Sequence, residues 1–541
     1  MNKSQNAFRP SLMDRIRSLL PSKADASKTF LSIVFLFLVF YPLITMFFNM
    51  DLKSINAVFT SNNFSTAVLN SVVSSVIGTV ISISLAFALA MWIERTNIKF
   101  RSVFSIIFVI PMLIPSISNG MGLIILFGNN GIFTRLLGAS NSIYGLVGII
   151  VGSVLYSFPV AFLMLSDVIK YEDSSPYEAA KVLGMSKFHC FKAITLPYLR
   201  KPLISVVFAV FTLIVTDYGV PLMVGGKYVT LPVLMYQEVI GQLDFGRGSV
   251  YGTLLLLPAV IAFLFDLNNK DKGNMTFIIK PHSRSNKVSS KIAAYIGCST
   301  AAVFVLLPIM SFILLAFSKD YPRNLAFTMD NFQKAVKLRA LDYLVNSIII
   351  AVIVAVVGVM IAFLTAYLAA RMKSRVSKFL HLSAMTSAAI PGLVLGLSYV
   401  LAFKATPIYG TIIILVMVNM IHFMASPYLM IYNSLSKINE NLEPIAQTMR
   451  ISRYHMIKDV FIPQCKGTII EMLSYFFVNC MITISAVSFL ATTSNKPISL
   501  MINQFEAQSQ LECAAVVSLL ILGANLIVKG VAHIVKKRNN N

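Results

Sequence analysis

Runs of about 20 apolar residues, each long enough to cross the hydrocarbon core of a bilayer as a helix, recur along the whole chain. They fall near 29–49, 67–92, 102–127, 144–166, 202–223 and 249–267, then near 293–318, 343–370, 379–403, 411–436, 467–491 and 512–535. No strand-like alternation accompanies them, so helices are the only way for the backbone to satisfy itself in lipid. With 57% hydrophobic and 12% charged residues among 541, the chain has too little polar surface for a water-soluble protein. The expectation is an all-α integral membrane protein of about 12 transmembrane helices.

The formal net charge of +23 would suit a nucleic-acid partner if it sat on one folded surface with aromatic companions. Its placement excludes that. With the N-terminus inside and the side alternating at each span, 34 of the 45 Lys+Arg fall on the inner side, while the 22 acids divide almost evenly. This is the positive-inside bias of a multi-pass membrane protein, and it places both termini in the cytoplasm. The five cysteines (Cys190, Cys298, Cys465, Cys480, Cys513) are scattered without a CxxC, which indicates neither a disulfide framework nor a zinc site. The first apolar run follows 28 polar, basic residues and reads as a retained anchor. Ser11–Leu20 before it could be a short helix on the inner leaflet or a disordered tail.

The two halves repeat. Asn70-Ser71 returns as Asn346-Ser347 and Pro115 as Pro391, both 276 positions on. After a longer loop in the first half the offset settles at 266, matching Phe162-Leu163-Met164 to Tyr428-Leu429-Met430 and Pro197 to Pro463. A stable offset means a duplicated unit. The expected organisation is a cytoplasmic segment 1–28, a first six-helix repeat 29–267, a cytoplasmic linker 268–292, a second repeat 293–535 and a tail 536–541. An even number of spans per unit makes the repeats parallel, related by a pseudo-two-fold axis along the membrane normal. Prolines inside the spans (Pro111, Pro115, Pro159, Pro391, Pro427) should bend their helices.

Between the fourth and fifth spans of the first half, Tyr177-Glu178-Ala179-Ala180-Lys181-Val182-Leu183-Gly184-Met185-Ser186 predicts a helix ended by a left-handed glycine. Ser186 can then cap a second helix, on which Phe188, Phe191 and Ile194 form an apolar stripe and which Pro197 should stop. An apolar stripe in an aqueous loop needs a cover, supplied either by its own protein or by a partner. The second copy carries Glu443, Ala446, Arg450 in the glycine's place, Tyr454, Ile457, Val460 and Pro463. There the docking face is expected to persist on an altered turn.

Glu178-Ala179-Ala180 followed by Gly184 and then Leu196-Pro197 resembles the EAA loop of bacterial ABC importer permeases, in loops spanning 170–201 and, degenerately, 437–466. The layout is similar to the fused permeases for ferric ion, thiamine and aminoethylphosphonate. The resemblance implies a bacterial inner-membrane transport subunit that is not itself an enzyme and needs no cofactor. Its partners would be two ATP-binding subunits gripping Glu178, Ala179, Ala180, Gly184, Phe188, Phe191, Pro197 and their second-copy counterparts, and an extracytoplasmic substrate-binding protein. Asp217-Tyr218-Gly219-Val220-Pro221 looks like the aspartate-aromatic-glycine segment of the iron and phosphonate group.

Asp217 itself reads either as a helix-terminal packing group or, with Tyr218, Gly219 and Pro221, as part of a gate. Ser485 and Ser488 stand in the equivalent region of the second half, so a symmetric metal cage is not expected. Ferric ion is the first choice of substrate, with phosphonate, phosphorylated small molecules and thiamine open. The chain carries no Walker glycine-lysine loop and no His-Glu-x-x-His. A twelve-helix secondary transporter is the rival class, but only Asp217, Glu471 and Glu512 approach the spans, all near their ends.

Overall fold

The structure is a computed structural model that describes residues 23–138, 143–269 and 284–540. The expected surface helix at 11–20, most of the linker and the last residue lie outside the described residues. Eight unbroken helices are long and apolar enough to cross a membrane: Ala26–Phe48, Phe64–Arg95, Leu146–Lys170, Phe188–Val215, Phe245–Phe265, Val288–Ala316, Ala340–Ala370 and Leu511–Arg538. Four bent pairs complete the set among the described residues: Arg101–Leu113 with Ser116–Leu136, Arg375–Ala389 with Gly392–Phe403, Ile412–His422 with Ala425–Ser436, and Arg453–Gln464 with Lys466–Ile482. With each bent pair counted as one span, these make twelve candidate spans among the described residues, in two runs of six.

Two of the breaks follow from proline. The third and ninth spans bend by 101° and 110° where Ile114 and Ile390 precede Pro115 and Pro391. A residue before proline is pushed out of the helical region, and both isoleucines are extended, at φ −123°, ψ 152° and φ −104°, ψ 112°. Pro427 lies just past the 54° bend of the tenth span, whereas Pro159 sits inside an unbroken helix.

The structure corrects three expectations about length. The fifth and eleventh spans end at Val215 and Ile482, short of 223 and 491. Beyond them the chain turns into the short helix Gly219–Val224 in one half and a series of turns in the other. Pro197 does not stop its helix. Phe191–Thr195 is a π-turn in which the Leu196 N–H reaches back to the Phe191 carbonyl, and this wider turn takes in the proline ring, so Phe188–Val215 runs through. The same π-turn, Met456–Phe461, precedes Pro463, but there the chain breaks by 79° near Cys465.

Lipid tails offer no hydrophobic drive between helices, so small residues and polar contacts must supply the packing. The second span shows this on its two faces: Leu69, Val72, Val76 and Val80 are exposed to lipid, while Ser71, Ser74, Ser75, Gly78, Thr79 and Ser82 are buried. The Ser82 and Ser157 hydroxyls meet at 2.7 Å across to the fourth span.

The halves are joined by exchange. The first span packs on the ninth, where Tyr399 Oη donates to the Leu38 carbonyl (2.7 Å) and Lys28 Nζ donates to Ser374 Oγ (3.1 Å). Reciprocally, the seventh span packs on the third, with Gly122 against Pro308 and Phe312, and the Lys99 N–H donating to Tyr295 Oη (2.8 Å). Each half lends its first helix to the other half's broken one. The second half adds a two-stranded hairpin, Ser318–Asp320 with Asn324–Phe327, ahead of the helix Asp330–Lys337.

Gly297 of the seventh span faces the ring of Trp92, with which any Cβ would overlap. Gly297→Val should therefore cost about 1–3 kcal/mol of stability by overpacking, read as a lower melting temperature in detergent, whereas Gly530→Val, in open space, should not.

Candidate functional site

Two hairpins project from the ends of the fourth and tenth spans. In the first, Ser175–Val182 ends in a glycine at φ 70°. The Met185 N–H bonds the Ala180 carbonyl (3.0 Å) and the Gly184 N–H bonds the Lys181 carbonyl (3.1 Å), a Schellman closure. The second hairpin, Leu442–Thr448, closes in the same way through Ile451 to Ala446 (2.8 Å) and Arg450 to Gln447 (3.1 Å), with Arg450 at φ 57°. The turn expected to be altered is retained, because the hydrogen bonds hold an arginine where glycine is preferred.

The next helix starts identically in both. Ser186 and Ser452 accept from the His189 and His455 N–H groups (3.4 Å each), and their hydroxyls lie 2.8 and 2.7 Å from the histidine Nδ1 atoms. Ala180 and Ala446 are buried under the turns.

The expected stripe divides. Phe188 and Tyr454 are strongly exposed, while Phe191 is less so (37%) and leans on Phe87 of the second span (ring centroids 6.3 Å apart). Ile457 and Val460 pack on the core. The open apolar surface is at the tips: Val182 (88% exposed), Leu183 (77%) and Phe188 in one, Met449 (66%), Ile451 and Tyr454 in the other. Periodicity of the second helix alone did not single out Val182, Leu183 or Met449, which flank the left-handed residue. Glu178 is exposed and accepts from Ser174 Oγ (3.4 Å).

Each hairpin is bolted to the second span of its repeat by one arginine. Arg95 pairs with buried Glu172, which also accepts from Tyr177 Oη; that phenol meets Thr195 Oγ1 at 2.6 Å. One network thus ties the second span to both hairpin helices. Arg371, 276 positions on, grips Glu443 through Nε (2.6 Å) and a terminal nitrogen (2.5 Å), and donates to the Ile438 (2.6 Å) and Asn439 (2.7 Å) carbonyls. The guanidinium groups lie over Tyr177 and Phe461, 5.1 and 5.4 Å from the ring centres. Sequence reading passed over both arginines, although they recur at the same offset as Pro115 and Pro391. Breaking such a buried pair by removing one partner costs about 3–5 kcal/mol.

Between the hairpins and the helix breaks lies a cavity of about 400 Å³, lined by both halves. Its polar groups include Ser116, Tyr156, Thr212 and Asp217 from the first repeat and Ser387, His422, Asn479 and Ser485 from the second; among the described residues no lysine or arginine lines it. Asp217 sits in the gap between helices, where its carboxylate accepts from Ser116 Oγ (2.6 Å), the Val220 N–H (3.0 Å) and the Gly219 N–H (3.3 Å). It caps Gly219–Val224 and faces the cavity at once. Pro221 is buried in that short helix and does not line the large cavity.

The breaks of the third and fifth spans meet through a glycine and a serine. In the first half Gly219 lies against Ser116; in the second, the equivalent contact has Gly392 against Ser485, with the two residue types exchanged. On the side away from the hairpins, Tyr218 stacks on Tyr236 (4.9 Å) and Tyr236 on Phe489 (6.2 Å). Tyr218 Oη meets Ser488 Oγ at 2.5 Å, and Asn503 Nδ2 donates to Tyr236 Oη (3.3 Å). This stack joins the halves; Tyr236 and Phe489 gave no signal in the sequence, since each is one aromatic among many. Among the described residues no three His, Cys, Asp or Glu side chains are grouped to hold a metal ion.

The family pattern described as "Binding-protein-dependent transport system inner membrane component" matches residues 78–268 and 358–541, once in each half. A Haemophilus influenzae permease named for ferric transport is 25% identical over 86% of this chain and 77% of its own length. The ferric transport system permease protein of Actinobacillus pleuropneumoniae is 25% identical over 74% of this chain, which spans 61% of that relative. The thiamine transport system permease protein of Brucella abortus is 24% identical over 41% of this chain and 42% of its own length.

Two variants test the geometry. Arg450→Gly should keep the hairpin and stabilise the chain by up to about 1 kcal/mol by relieving a left-handed residue, seen as an unchanged or higher melting temperature. Gly219→Ser alone should lower the melting temperature, and adding Ser116→Gly, which reproduces the arrangement of the second half, should restore part of the loss, because Ile484 and the Ile117 nitrogen still crowd the new side chain.

Proposed function

The chain belongs to the family of binding-protein-dependent transport system inner membrane components, as a fused permease with two tandem family units, and from that premise we propose how it works. Two copies of a separate ATP-binding subunit seat on the two hairpins from the cytoplasm, one on Val182, Leu183 and Phe188, the other on Met449, Ile451 and Tyr454. The observation that carries this reading is that two loops with different sequences close by the same hydrogen bonds, carry exposed apolar tips and are anchored by equivalent, largely covered arginines. Motion of a hairpin then passes through Arg95 or Arg371 to the second span without slack. In this arrangement the repeats are related by a pseudo-two-fold axis along the membrane normal, and both termini lie in the cytoplasm. The large cavity is the inward-facing part of the pathway, and the stack of Tyr218, Tyr236 and Phe489 closes its outer end. A substrate-binding protein delivers cargo to the opposite face.

Ferric iron is the proposed cargo. The support is twofold: two of the relatives are named for ferric transport, and among the described residues the cavity offers one carboxylate, several hydroxyls and no lysine or arginine. Such a lining favours a cation over sulfate-like or phosphonate-like oxyanions. Thiamine, also cationic, is the second reading, on the strength of the thiamine relatives.

In proteoliposomes, uptake should require the ATP-binding subunit and ATP. Val182→Asp combined with Leu183→Asp should lower uptake by about tenfold or more while the chain still inserts and keeps its melting temperature. Gradient-driven uptake by the chain alone, or full uptake by this variant, would refute the docking role.

A further inference from the structure

The geometry points to a sodium-ion site in a small polar cavity beside Asp217, between the second and fifth spans and apart from the large cavity. The space is about 10 Å³; Ser71, Ser74, Ser75, Thr230 and Asp217 form its polar side, and Ile149, Pro221 and the end of the helix at Ile214–Val215 form the rest. This is room for one body the size of a water molecule. Hydroxyl, carboxylate and carbonyl oxygens are the ligands that hard cations take.

Three independent features favour a cation there. First, Asp217 is a carboxylate at membrane depth whose hydrogen-bond partners among the described residues are all neutral donors: one hydroxyl and two backbone N–H groups. A cation beside it would hold such a buried carboxylate in its ionised form. Second, the fifth span ends at Val215, so the negative pole of a 20-residue helix points at the cavity. Interrupted membrane helices hold sodium at such C-terminal ends in unrelated transporters. Third, the Thr230 hydroxyl has no hydrogen-bond partner among the described residues although the residue is only 3% exposed, and an unpaired hydroxyl in that position is costly. The neighbouring serines are already oriented: the Leu231 N–H donates to Ser71 Oγ (2.7 Å), and Ser74 Oγ donates to the Asn70 carbonyl (2.7 Å). Ser74 thus spends its proton on the backbone and keeps its oxygen lone pairs for an ion.

The site braces the break of the fifth span. The second half is built otherwise at this point, with Thr483 where Asp217 would be, so the ion would serve one half alone. The test is thermal unfolding of the full-length chain in detergent, in NaCl, KCl or choline chloride at equal ionic strength. A saturable rise in melting temperature in sodium alone is expected, because a ligand of the native state stabilises it. Thr230→Ser should keep that response, and Thr230→Val should raise the half-saturating sodium concentration about tenfold. Equal melting temperatures in the three salts, or an undiminished response in Thr230→Val, would overturn the site and leave the cavity to water. If the valine variant fails to fold, the wild-type salt comparison and the serine variant still decide. Uptake and ATP dependence are read separately, so failure here leaves the transport reading standing.

Discussion

A broken helix in a membrane must find partners for its backbone inside the protein, because each unpaired group left to lipid costs several kcal/mol. This chain breaks or ends its spans early at several points, and it repairs them with its own side chains. Asn525 of the last span donates to the Leu113 carbonyl at the break of the third (2.9 Å). Asp217 caps the helix after the fifth. Ser499 Oγ donates to the Thr483 carbonyl after the eleventh (2.7 Å). The Asn525 repair crosses from one half to the other, the other two are made within a half, and the cavity opens beside the breaks they serve, lined by Ser116, Asp217, Pro391 and Thr483. The cavity is a by-product of where irregular backbone can survive.

The hairpins show two solutions to one mechanical problem. In the first repeat the anchoring carboxylate, Glu172, precedes the hairpin helix and leaves Glu178 at the surface. In the second, Glu443 lies within the helix and is taken by Arg371, with carbonyls of Ile438 and Asn439 completing the grip. The degenerate motif of the second copy has moved a carboxylate from the exposed face to the anchor. The backbone turn stays the same in both, although one uses a glycine and the other an arginine.

Much of this was legible in advance. The twelve spans follow from apolar runs because the length of a run is set by bilayer thickness, and the duplication follows from offsets that no packing detail can hide. Pro115 and Pro391 correctly marked the sharp breaks. What escaped depended on three-dimensional meeting: Arg95 with Glu172, Tyr236 between Tyr218 and Phe489, and Ser116 against Gly219. Hydropathy also overran the ends of the fifth and eleventh spans, since the residues after Val215 and Ile482 remain apolar while their backbone turns away. Pro197 misled because a π-turn can absorb a ring that an α-turn rejects.

The exchange of first spans carries a consequence for biosynthesis. Chains emerge N-terminus first and their units fold in that order, yet the third span is clasped by the seventh, made more than 150 residues later. When its sixth helix has left the ribosome, the leading half therefore still exposes the groove around Gly122 to lipid. It is an unfinished domain that waits for its twin. Fusing the two into one polypeptide guarantees that the missing clasp arrives in the same membrane, in equal number and within the time of a single translation.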